Sequence, residues 1–218
     1  MTAKTATEEL ELTDVGHDEH GPDEPRSGGN GGGAALPAMP QHAYLTGIIL
    51  ALAAITMFFL ALTSSFIVRK GLADDWVAFP LPPILWLNTA LLLASSVSLE
   101  RARRELRRGE RGRFQRWWAL TTALGLGFLA GQLIAWQQLA AAGVYLASNP
   151  SSSFFYVLTG SHGLHLLGGV IALSVVGFRP RREDARLSQT TAARVAGVYW
   201  HFMGGLWVYL LLLLLLGQ

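Results

Sequence analysis

The chain has 218 residues, 51% of them hydrophobic, and no Cys, so disulfides, thiolate metal sites and Cys nucleophiles are excluded. The formal net charge of +2 conceals a segregation. Glu8, Glu9, Glu11, Asp14, Asp18, Glu19, Asp23 and Glu24 crowd the start, while Arg gathers at 101–116 and 179–194. Each basic cluster is wedged between long apolar runs, which favours a membrane protein over a nucleic-acid binder.

Residues 1–41 are acidic, then Gly-rich (Ser27 to Gly33). Such a segment buries too little apolar surface to fold and is expected to be a disordered cytoplasmic tail. It lacks the basic start and apolar core of a secretory signal. His17 and His20 beside acids are expected to be solvated rather than to hold a metal. Five stretches then approach the roughly 20 apolar residues needed to cross a bilayer core of about 30 Å: 43–68, 83–99, 117–140, 154–178 and 195–216. The second is short and starts after Pro82-Pro83, where proline suits a first helical position. The expected fold is all-α, a polytopic membrane bundle of five transmembrane helices over residues 42–218.

Loop charges set the direction of threading. The connection between the second and third stretches carries Arg101, Arg103, Arg104, Arg107, Arg108, Arg111, Arg113 and Arg116, and the next basic one starts at Arg179. By contrast, Arg69 and Lys70 are offset by Asp74 and Asp75, and the stretch from Gln137 to Ser153 carries no charge. The Arg-rich connections are expected to face the cytoplasm, with the N-terminus inside and the C-terminus outside. Arg101, Arg103, Arg116 and Arg179 are candidates to meet lipid phosphates. Small residues (Gly127 and Gly131, Gly168-Gly169, Gly204-Gly205) mark close helix approaches. Trp117 and Trp118 are expected to be interfacial anchors, and Leu50, Phe58, Phe59 and Phe66 to face a partner subunit or lipid.

His162, His165 and His201 lie inside apolar stretches, where a titratable ring needs a partner, a cofactor or water. His162 and His165 are three apart and share a helix face. With about 1.5 Å of rise per residue, His162 lies roughly 5 Å outward of His165, and His201 about 9 Å inward of it. These mismatched depths disfavour a shared haem or metal. Ser161 beside His162 does not make a nucleophile–base pair, because adjacent helical residues do not face each other. No Asp or Glu lies inside any of the five stretches, which disfavours a proton conductor or ion-coupled transporter.

Four motifs carry a family resemblance. Phe154-Phe155 with Thr159-Gly-Ser-His162-Gly-Leu-His165 and Gly168 resembles the penultimate helix of subunit III of haem-copper cytochrome c oxidases. Tyr199-Trp200-His201-Phe202, followed by Trp207, resembles that family's last helix. Leu87-Asn88-Thr89 with Leu93-Ala94-Ser95, and the run from Gly125 to Gln132, resemble two earlier helices in the same order. Together they are similar to the bacterial five-helix form, whose N-inside, C-outside threading agrees with the charge count.

The resemblance implies a non-catalytic subunit with no cofactor of its own, haem and copper residing in partner subunits. It implies direct packing on the catalytic subunit I, association with subunit II and a subunit IV, bound phospholipids, and residence in the bacterial inner membrane. The complex would reduce O2 to water in aerobic electron transport. His162, His165, Asn88, Gln132, Trp200 and His201 would then be signature and packing residues. Three positions depart from the family pattern: Ala53-Ala54-Ile55-Thr56 has no acid, Ala135 stands three residues after Gln132, and Gly204 occupies a position often held by Asp. A carboxylate-dependent proton role therefore does not carry over. A subunit-III-like accessory of a nitric oxide reductase is the alternative.

Overall fold

The computed structural model describes residues 41–72, 76, 79–177 and 185–217, with backbone only for 41–45 and 185–188. The acidic tail up to residue 40 and Arg179 lie outside the described residues. Five α-helices follow one another: α1 (Gln41–Leu72), α2 (Ile84–Arg107), α3 (Arg111–Ala141), α4 (Pro150–Gly177) and α5 (Ala185–Leu216). No strand occurs among the described residues.

The helices run past the expected spans because the charged stretches are themselves helical. Arg, Glu and Leu favour helix, and Glu100 pairs with Arg103 at 3.2 Å and with Arg104 at 3.5 Å, one turn along the same face. The basic connection of 100–116 thus shrinks to the turn at Arg108, Gly109 and Glu110. Gly109 takes φ 80°, and its N–H donates to Leu106 O while Glu110 N–H donates to Glu105 O. That pair of bonds closes a helix end only with a left-handed residue between them, the position glycine fills without strain. The end of α3 repeats the device: Gly143 at φ 77°, with Gly143 N–H to Ala140 O and Val144 N–H to Leu139 O.

Asn149 opens α4. Its side-chain oxygen accepts from Ser152 N–H at 2.9 Å, and the Ser152 hydroxyl accepts from Asn149 N–H at 3.3 Å. This reciprocal cap satisfies two of the four free donors of the first turn, and Pro150 occupies a position that needs no donor.

By length and composition, α1, α3, α4 and α5 are able to cross a membrane. The apolar part of α2 ends at Leu99, where Glu100 and the arginines begin, so α2 falls short of the same measure. It is nonetheless a member of the bundle, lying along α3 and α5. Its inner face, Leu85, Asn88, Leu92, Ser95 and Leu99, is buried.

The core is assembled where α5 meets α2, α3 and α4. Trp200, Trp207, Phe128, Phe155, Leu158, Leu166 and Met203 are all fully enclosed. Trp200 fits because Gly125 of α3 lacks a side chain: a Cβ there would meet the indole ring, while a Cβ at Gly169 of α4 would meet the neighbouring Tyr199 ring. Of the small residues singled out by spacing, Gly168 and Gly205 face open space, whereas Gly131 and Gly169 make close approaches.

Two expectations are corrected. Trp118 is a core residue and no interfacial anchor. It is buried, its indole N–H donates to Leu173 O at 2.7 Å, and its ring lies against Gly177. Trp117 is half-buried under the Arg101 guanidinium, 5.0 Å from the ring centroid, a cation–π geometry. On α1, which packs against α4 and α5, Leu50 (65% exposed) and Phe58 (44%) do face outward. Phe59 and Phe66, however, are turned in and buried. Phe66 stacks edge-on with Trp76 and Phe154.

Gly125→Leu should overpack the Trp200 seat and destabilise the protein by about 1–3 kcal/mol. A thermal melt in detergent checks this, with Gly168→Leu expected to be near neutral because nothing lies within 4 Å of a Cβ there.

Candidate functional site

The histidines do not form one site. The His162 ring is enclosed between Phe128 of α3 (centroids 5.8 Å apart) and Trp207 of α5 (5.2 Å). His165, three residues on, turns to α1, where its ring meets Phe58 at 6.1 Å and Phe59 at 5.7 Å. Its Nδ1 lies 2.7 Å from Ser161 O, one turn earlier, and its carbonyl accepts from the Tyr199 hydroxyl at 2.7 Å. His201 lies on an exposed face of α5. Positions three apart are offset around a helix, and in a packed bundle that offset is enough to send the first two rings to different neighbours.

The motifs are brought together by the tryptophans. Trp200 N–H donates to the Ser95 hydroxyl at 2.9 Å, and Ser95 donates to Leu92 O at 2.7 Å. Trp207 N–H donates to the Thr89 hydroxyl at 3.0 Å, and Thr89 donates to Leu85 O at 2.8 Å. Two turns of α5 thus grip two turns of α2, each indole closing a chain that ends on a backbone carbonyl. Each buried indole N–H finds its partner, as such groups generally must. Asn88, next to Thr89, lies against Gly131, and Gln132 follows Gly131 on α3; both amides are buried. Asn88, Gln132, His162 and Trp207 therefore occupy one layer of the bundle, and Ser95 and Trp200 the next.

Sequence reasoning missed Thr89 and Ser95 as the acceptors. Their signal was present in the spacing: Thr89 and Ser95 are six residues apart on α2, and Trp200 and Trp207 seven apart on α5, each close to two turns.

Nearer the basic end, Ser98 donates to Trp117 O at 2.9 Å and Thr121 donates to Ser98 at 3.0 Å. Here Glu100 gathers Arg103, Arg104 and Arg107 within 3.5 Å. Arg103 lies against Gly197 of α5, while Arg101 and Arg116 are exposed. Among the described residues no three His, Asp or Glu side chains are grouped to hold a metal ion.

A sequence profile for cytochrome c oxidase subunit III matches residues 38–216, which takes in all the layers described above. The chain belongs to the cytochrome c oxidase subunit III family. It is a subunit III of the haem-copper oxidases, and nothing supports the nitric oxide reductase alternative. It is 31% identical to cytochrome c oxidase subunit 3 of Synechocystis sp. over 176 residues, covering 78% of this chain and 74% of the relative. It is 33% identical over 166 residues to the probable cytochrome c oxidase subunit 3 of Nocardia farcinica, covering 74% of this chain and 82% of the relative. The protein of the same description from Mycobacterium tuberculosis is 33% identical over 172 residues, 75% of this chain and 83% of the relative. In this chain the motif residues Trp200 and Trp207 bond to Ser95 and Thr89 and so join α5 to α2.

Trp207→Phe keeps the ring packing and removes one interhelical hydrogen bond, and should cost about 0.6 kcal/mol, the average for such bonds between membrane helices. A Thr89→Val, Trp207→Phe double-mutant cycle read by thermal unfolding in detergent checks it. Coupling of that order is expected between the two positions.

Proposed function

We propose that this subunit III is non-catalytic and that it packs directly on the haem- and copper-bearing subunit I of an aerobic oxidase that reduces O2 to water, with subunit II and further small subunits in the same assembly. The observation that carries this reading is the use to which the family's polar signature residues are put. Trp200, Trp207, Ser95 and Thr89 are spent inside the bundle on one another and on backbone carbonyls, and the His162 ring is packed against Trp207. A catalytic group must reach substrate or cofactor, and these do not.

Two further features support the role. The helices α1, α3, α4 and α5 contain no Asp or Glu, so a carboxylate relay across the bilayer has no residue to run through. The outward face of α1, with Ile49, Leu50, Met57 and Leu60 all more than half exposed, suits contact with subunit I or with lipid chains.

In this reading α2 spans the inner membrane as the fifth helix, and the Arg-rich α2–α3 turn lies in the cytoplasm. Arg101, Arg103 and Arg116 there meet the phosphates of anionic lipids, with Arg179 in the next basic connection. Each exposed basic residue near an anionic leaflet is worth about 1 kcal/mol.

Mild solubilisation should recover the chain with a haem-copper subunit by mass spectrometry, and the chain stripped of its partners should show no haem absorption. A Soret band that stays with the isolated chain and is lost on mutating His165 or His201 would overturn the proposal. Direction is tested separately, and the lack of native Cys makes single-cysteine labelling clean. An impermeant maleimide should label Ala147→Cys in intact spheroplasts and Arg108→Cys only after permeabilisation; the reverse pattern would invert the threading.

A further inference from the structure

The layer beneath Trp207 holds three side chains whose polar atoms the packing leaves unmet. Asn88 from α2, Gln132 from α3 and His162 from α4 are 0%, 2% and 0% exposed. Both amide atoms of Asn88 and of Gln132, and both ring nitrogens of His162, have no hydrogen-bond partner among the described residues.

Named contacts bring the three to one level. The Asn88 amide lies against Gly131, the residue before Gln132. Phe128, one turn from Gln132 on α3, meets the His162 ring at 5.8 Å. Trp207 closes the layer, 4.7 Å from Phe128 and 5.2 Å from His162 by ring centroids, with its N–H on Thr89 beside Asn88.

Unmet donors and acceptors in so apolar an interior are strongly unfavourable, and native proteins satisfy them with protein groups or with ordered water. The chemistry of the set points to one occupant. Each carboxamide offers a donor and an acceptor, and a neutral imidazole offers one of each. None of these groups, nor Phe128, Trp207 or Thr89 around them, bears a charge that would select an ion. A buried water typically makes about three hydrogen bonds to such groups.

We propose that Asn88, Gln132 and His162 form an internal water-binding site, in which ordered water bridges α2, α3 and α4 and fixes their relative register. The site is independent of any role in oxygen reduction. It gives the three polar members of the family's motifs a common purpose that pairwise packing does not supply.

The test is a density map of the full-length chain, purified with its accompanying subunits, at a resolution that shows ordered water. The expected result is a peak within hydrogen-bonding distance of at least two of the three side chains. A map that resolves water elsewhere between the helices but none here, or that shows the two amides and the imidazole bonded directly to one another, overturns the proposal.

Substitution gives a second reading. Asn88→Leu, Gln132→Leu and His162→Phe should each lower the thermal midpoint by leaving the water and the remaining groups under-bonded. The triple substitution should lose markedly less than the sum of the three. A triple loss equal to that sum would mean that the side chains act only as shapes, and would also overturn the site. If a single variant fails to accumulate, the wild-type map still decides.

Discussion

The grip of α5 on α2 is the constraint on which the rest of the bundle depends. In a bilayer the lipid is as apolar as the helix surfaces, so helices associate through close packing and interhelical hydrogen bonds. Trp200 and Trp207 supply both at once. Each ring fills the space among α2, α3 and α4, and each N–H closes on a hydroxyl of α2. Gly125 leaves the gap for the first ring, and Phe128 and His162 form the wall for the second. By contrast α1, among the described helices, packs against α4 and α5 and keeps a broad apolar face outward. α1 also lends Phe59 and Phe66 to the core.

This division accounts for the family's motifs without catalysis. Buried histidines usually invite a search for a metal or a proton path. Here His162 is a wall of the Trp207 seat, His165 is a ring laid between α4 and α1, and His201 faces outward. Their separation follows from helical offset. The arrangement keeps the three rings apart.

Much of the fold was legible in the sequence because its signals are strong in lipid. Apolar runs located all five helices, and Pro82-Pro83 marked α2's start. Helix ends were less legible. Arginine was read as loop, although the 100–107 stretch has high helix propensity and pairs Glu100 with its own turn. The roles of single side chains were least legible. Trp118 sits where an anchor would, and only the approach of Gly177 and Leu173 from α4 shows it turned inward. Phe59 and Phe66 differ from Phe58 only in their angle around α1, and a uniformly apolar helix carries no periodicity from which to read that angle. Likewise, the hydroxyls of Thr89 and Ser95 look like ordinary small residues until α5 is placed against them.

The proposed role, stabilising a catalytic partner without chemistry of its own, turns on whether oxygen reduction needs this chain. The most direct measurement is the initial rate of oxygen consumption per haem, compared between the intact complex and the complex depleted of this chain. The account predicts that the initial rate survives depletion while the lifetime of activity shortens, and that adding the chain back restores the lifetime. An initial rate that vanishes on depletion, and returns with the wild-type chain but not with a folded His162→Phe variant, would contradict it.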